Sequence, residues 1–103
     1  MSSGQFSPRA ARELRAAAVW IAERDADAAA GFVRAATADA ERLAHQPGLA
    51  RTEPRLAPPR FRFWSLRGYP YLLVLDTERR PAVVARVVHQ ARDLPAVLND
   101  LWG

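Results

Sequence analysis

The stretch that decides the fold is Ala82-Val-Val-Ala-Arg-Val-Val-His-Gln-Ala-Arg-Asp-Leu94, near the end of the 103-residue chain. Its first part is a strand-like run of small and β-branched residues, and its second part carries the polar side chains His89, Arg92 and Asp93. In an extended strand Val83, Ala85 and Val87 point one way and Val84, Arg86 and Val88 the other. An arginine in such an apolar run must send its guanidinium to a carboxylate, a cleft or a partner, because an unpaired buried charge is too costly. Asp93 then reads as the cap of a short closing helix from Pro95 to Trp102, with Arg92 as its local ion partner.

Two strand patterns precede this run. Phe61-Arg-Phe-Trp-Ser-Leu66 alternates partially, Arg67-Gly-Tyr-Pro70 turns, and Tyr71-Leu-Leu-Val-Leu75 is apolar on both faces, as a central strand should be. Asp76 to Pro81 makes the next turn. The three strands therefore form an antiparallel meander.

Further towards the N-terminus the apolar period changes from two to nearly four. Ser7 and Pro8 open a helix as N-cap and first helical residue, and Ala11, Leu14, Ala17 or Ala18, and Ile21 follow on one stripe, with Trp20 beside it. Asp25-Ala-Asp27 interrupts and recaps the pattern. Ala29, Phe32, Val33, Ala36, Ala40 and Leu43 then carry a second, longer helix to His45, which Gln46-Pro-Gly48 stops. So short a link makes the helices antiparallel neighbours, and their alanines allow close approach. Residues 49–60, rich in arginine and proline, read as a crossing loop, and Gly4 to Phe6 as a weak edge strand.

This order specifies an α+β fold: a helical hairpin on one face of a small antiparallel sheet, closed by a short C-terminal helix. Arg86 is assigned to the face the helices leave open. One domain over residues 1–103 is expected, since a chain of this size buries roughly two-thirds of its unfolded surface and leaves no room for a second core.

The chain has 15 basic against 11 acidic residues, for a net charge of +4, and every basic residue is arginine. Arginine binds anions well but stays protonated, so proton transfer would fall to His, Asp, Glu or Tyr. Cysteine is absent, which excludes disulfides and thiolate metal sites. Neither a metal-ligand cluster nor a glycine-rich phosphate loop is present, so no metal or cofactor is expected. No apolar run is long enough to span a membrane. Met1 to Phe6 lacks the basic and apolar regions of an export signal, and a cytoplasmic location is expected.

Several segments resemble the RelE/ParE superfamily of bacterial toxin–antitoxin toxins, with the closer likeness to its ParE branch. They are Ser7-Pro-Arg-Ala-Ala, Trp20-Ile-Ala-Glu, Glu41-Arg-Leu-Ala before Gln46-Pro-Gly48, Gly68-Tyr-Pro-Tyr-Leu and Arg86 to Leu94. The last matches the branch pattern Arg-Val-x-His-x-Ala-Arg-Asp, with Gln90 where glycine is more usual. Asp76 also replaces the more familiar tyrosine-arginine ending of the central strand.

The resemblance implies a RelE/ParE-like fold and a cytoplasmic toxin of a type II, plasmid-stabilising system, neutralised by a cognate ParD-like or similar antitoxin with an acidic tail. ParE-like members are regarded as inhibitors of DNA gyrase without catalysis of their own. RelE-like members cut mRNA on the ribosome, using lysines that this chain lacks. The gyrase reading is therefore preferred. An endoribonuclease using His89 with Arg86, or a weakly toxic member, is the alternative. Histidine is suited to acid–base work near neutral pH, and arginine to holding a phosphate.

Arg62, Trp64, Tyr71, Arg86, His89, Arg92 and Trp102 are the candidate residues for binding target or antitoxin. Alternation cannot bury Phe63 and Trp64 on one face, so one of them is expected to be exposed for a partner to cover. Arg60-Phe-Arg-Phe-Trp64 also looks like a stacking stripe for nucleic acid. The same alternation suits an edge strand with one solvated face, and direct nucleic-acid binding is not the expected role.

Overall fold

A computed structural model describes residues 5–92 and 94–99. Ser7 opens the first helix, α1 (Pro8–Ala22), its hydroxyl accepting the Ala10 N–H at 3.0 Å. Asp25 caps α2 (Ala26–His45) in the same way through the Ala28 N–H. Each cap satisfies a backbone donor that the first helical turn leaves without an intrahelical partner. A 3₁₀ turn at Pro47–Leu49 then leads into β1 (Arg51–Thr52). Next come β2 (Phe61–Ser65), β3 (Tyr71–Asp76), β4 (Val83–His89) and α3 (Leu94–Leu98). The strands form one antiparallel sheet in the order β1-β2-β3-β4.

The helical hairpin covers one face of this sheet, as the apolar periods require. Ala10 and Ala17 of α1 and Phe32, Ala36, Ala40 and Leu43 of α2 pack with Tyr71, Leu73, Leu75, Val84 and Val87. Phe32 lies 5.4 Å from the Tyr69 ring and 5.0 Å from the Tyr71 ring, in edge-on and tilted arrangements that suit aromatic quadrupoles.

Three expectations change. Residues 51–52, read as loop, add a fourth strand, because two residues are too few to show a period. The weak strand before α1 reduces to one parallel bridge, Phe6 to Val84. The second sheet face is also closed. Ala57 with Leu56 from the proline-rich loop, and Leu98 with Leu94 and Val97 from α3, cover Phe61, Phe63, Leu72, Val74 and Val88.

The decisive strand also departs from simple alternation. Arg86 pairs with Val74 but Val84 with Leu75, so Ala85 is an extra residue and the strand bulges there. The bulge turns Val84 and Val87 to the helices and leaves Val88 on the other face, so the expected grouping of Val84 with Arg86 and Val88 does not hold. It also presents the Ala85 carbonyl to the Ser7 hydroxyl at 3.0 Å, while the Ser7 N–H donates to Val84 at 2.8 Å. One serine thus caps α1 and ties its start to β4.

Candidate functional site: a cleft on the outer edge of the sheet

Arg86 is 4% exposed, and the expectation of an open anion-binding face does not survive. Its Nε lies 2.9 Å and an Nη 2.7 Å from Oε2 of Glu13 on α1. Its other Nη donates to the Val97 carbonyl of α3 at 2.8 Å. Glu13 Oε1 accepts the Val87 N–H at 2.8 Å. The guanidinium fork and the carboxylate therefore bind α1, β4 and α3 to one another, with the charge balanced where water is scarce.

Beside this network lies a cleft of about 380 Å³. Glu13, Ala16, Ala17 and Trp20 of α1 form one wall. Tyr71 and the strand from Arg86 to His89 form the floor, and Arg92 and Val97 close the far side. Four of the candidate residues, Tyr71, Arg86, His89 and Arg92, are thus brought together. Arg86 sits there as structure and Arg92 as an exposed cation.

His89 is held from two sides. Its Nδ1 accepts the Ala91 N–H at 2.9 Å, and its ring stands edge-on to Tyr71 at 5.0 Å. In the neutral ring an accepting Nδ1 leaves the proton on Nε2. Burial pushes the Tyr71 phenol above its ordinary value, while the Arg92 charge pulls it down by less. Tyr71 consequently stays protonated at neutral pH and offers a donor, not a base.

The other candidates lie elsewhere. Arg62 donates to the Ala50 carbonyl at 2.8 Å and pins the chain before β1. Trp64 packs under the helices, its indole N–H donating to Asp39 at 2.8 Å with the Arg42 guanidinium 5.2 Å from the ring. Phe63 is buried on the opposite face, so neither aromatic is the exposed one expected of that strand. The apparent stacking stripe is likewise occupied: Arg60 pairs with Asp76 and Glu78 at 3.0 Å each, and Phe61 is buried. Trp102 and Asp93 lie outside the described residues.

Sequence reading missed Glu13 and Trp20. Trp20 is 51% exposed on the cleft wall, with the Arg24 guanidinium 3.9 Å from its ring centroid. Its place just off the apolar stripe of α1 was the available signal. Glu13 had none, because its partner is 73 residues away.

Among the described residues no group of side chains suits a metal ion, and no helix is long and apolar enough to cross a membrane. No curated protein matches the chain. The model of the family described as ParE toxin of type II toxin–antitoxin system, parDE, matches residues 5–94, which span both long helices, the whole sheet and every described lining residue of the cleft but Val97. With its helical hairpin, four-stranded sheet and closing helix, the chain belongs to the ParE toxin family of type II toxin–antitoxin systems.

Proposed function

We propose that this toxin acts by binding DNA gyrase, without catalysis of its own, and that a cognate antitoxin with an acidic tail neutralises it in the cytoplasm. The observation that carries this reading is the engagement of Arg86. An mRNA endoribonuclease built on His89 would need Arg86 to hold the scissile phosphate, and Glu13 already takes two of its nitrogens at 2.9 and 2.7 Å. A ground-state ion pair of this kind competes with any phosphate for the same fork. The exposed Arg92 and Trp20 offer contact chemistry rather than reaction chemistry, a cation and an aromatic face suited to a protein partner.

The test is inducible expression of the chain, alone and together with the product of the neighbouring reading frame. DNA breaks and an SOS response with intact translation, relieved by the neighbour, are expected. Ribosome-dependent cuts in mRNA would contradict the reading.

A further inference from the structure

The outward face of α1, about 100° round the helix from Trp20, carries a stripe that the cleft does not absorb. Arg12, Arg15, Val19 and Ala22 recur at three- and four-residue spacing, with Ala16 and the C-cap Glu23 beside them, and all six are exposed. At 60% exposure Val19 is the most open large apolar side chain among the described residues. Of the six, Ala16 alone also lines the cleft.

The charges of this stripe have no side-chain partner among the described residues. Arg9 pairs with Glu13 four positions on, at 3.9 Å. Arg12, Arg15 and Glu23 have no opposite charge three or four positions away, where a helical ion pair would form. Their order is, however, complementary to itself. Arg15 stands four residues before Val19 and Glu23 four after, about 6 Å either way along the axis.

Two copies of α1 crossing antiparallel at Val19 therefore set Arg15 of each beside Glu23 of the other. The same two-fold axis places Val19 on Val19 and Ala16 opposite Ala22, small residues that let the helix axes approach to about 8 Å. Arg12 is then directed towards the acidic turn Asp25-Ala-Asp27 that follows the other α1. A parallel crossing would instead bring Arg15 onto Arg15 and Glu23 onto Glu23.

We propose that the outward stripe of α1 is the interface of a symmetric homodimer, crossed antiparallel at Val19 and tied by two Arg15–Glu23 ion pairs. One patch that meets itself in this way is the usual design of a two-fold dimer. A single helix crossing buries less than about 1,200 Å² in total, so the association is weak and depends on concentration. The stripe and the cleft share only Ala16, so dimerisation leaves the cleft of each copy open and is independent of what the cleft binds.

The test is sedimentation equilibrium of the purified full chain over a concentration series. The wild type should shift from monomer to dimer as concentration rises. Arg15→Glu and Glu23→Arg should each weaken self-association at least about tenfold, because two attractions become two repulsions. Mixed in equal amounts, these two variants should associate with each other about as well as wild type, since each mixed pair again has two contacts of opposite charge. A folding defect would not be rescued by mixing.

Cysteine is absent from the chain, so Val19→Cys puts a single thiol on the two-fold axis. Under mild oxidation it should cross-link to a second copy faster than Leu49→Cys, a site of similar exposure outside the stripe. A wild type that stays monomeric up to millimolar concentration would overturn the proposal, as would a dimer indifferent to both charge reversals or a failure of the mixed variants to associate. Monomeric wild type together with weaker binding of the neighbouring reading frame's product by Val19→Asp would assign the stripe to that product and overturn the homodimer.

Discussion

At the scale of single residues, the pair Glu13 and Arg86 has the largest consequences, because each holds the other's charge in a place short of water. Glu13→Ala leaves a guanidinium with 5% side-chain exposure without its carboxylate and also releases the Val87 N–H. A cost of about 3–5 kcal/mol is expected, measured by denaturant unfolding, as for other broken buried pairs. Gly31 is a second critical residue. A Cβ there would meet the Tyr69 hydroxyl at 2.6 Å, the hydroxyl that donates to the Ala28 carbonyl of the same helix. Gly31→Ala, which in an open helix gains about 1 kcal/mol, should therefore destabilise the wild type and stabilise a Tyr69→Phe background. Equal effects in both backgrounds would show that the hydroxyl is not the obstacle.

Tyr71 gives a dependence on pH. Its phenol ionises above the ordinary 10.0 in the folded chain, so the unfolded chain loses that proton first. The resulting stability is fully present below pH 10 and falls as pH rises from there through the folded value. Alkaline unfolding curves of wild type and Tyr71→Phe should differ in slope above that pH, with the wild type losing stability more steeply.

At the scale of elements, residue types and their periods named both long helices, their caps and the three longer strands. Ser7, Asp25 and Pro47 are signals whose physics acts within a few residues, and such signals are visible in a sequence. The bulge at Ala85 was not, since a β-bulge is set by the opposing strand and by Ser7, some 78 residues away along the chain. For the same reason the cleft was half legible. Arg86, His89 and Arg92 were readable as one neighbourhood at a strand end, while Tyr71 joins them only through the β3–β4 register, and Glu13 and Trp20 only when α1 is laid against β4. Ser7→Ala removes both the cap of α1 and the donor to the Ala85 carbonyl. A loss of about 1–2 kcal/mol is expected in thermal or denaturant unfolding, at the upper end for an N-cap. A loss below a few tenths would mean that the α1–β4 tie contributes little.

At the scale of the whole molecule, the sheet is covered on both faces, by the helical hairpin on one and by the proline-rich loop with α3 on the other. The sequence pointed to the first layer through a strong helical period. It did not reveal the second, because neither the loop nor a five-residue helix carries a period of its own. Closing that face leaves the outer edge of β4 as the place where Tyr71, His89, Arg92 and Trp20 meet. A cleft whose arginine is held by a neighbouring carboxylate, and whose exposed groups are an aromatic and a cation, suits a toxin that works by contact. The most direct check is supercoiling by purified gyrase in the presence of the purified chain, with translation of a reporter mRNA assayed in parallel. Loss of supercoiling or accumulation of cleaved DNA, with reporter mRNA intact, is the expected result; unimpaired gyrase together with ribosome-dependent cleavage of the reporter would contradict it.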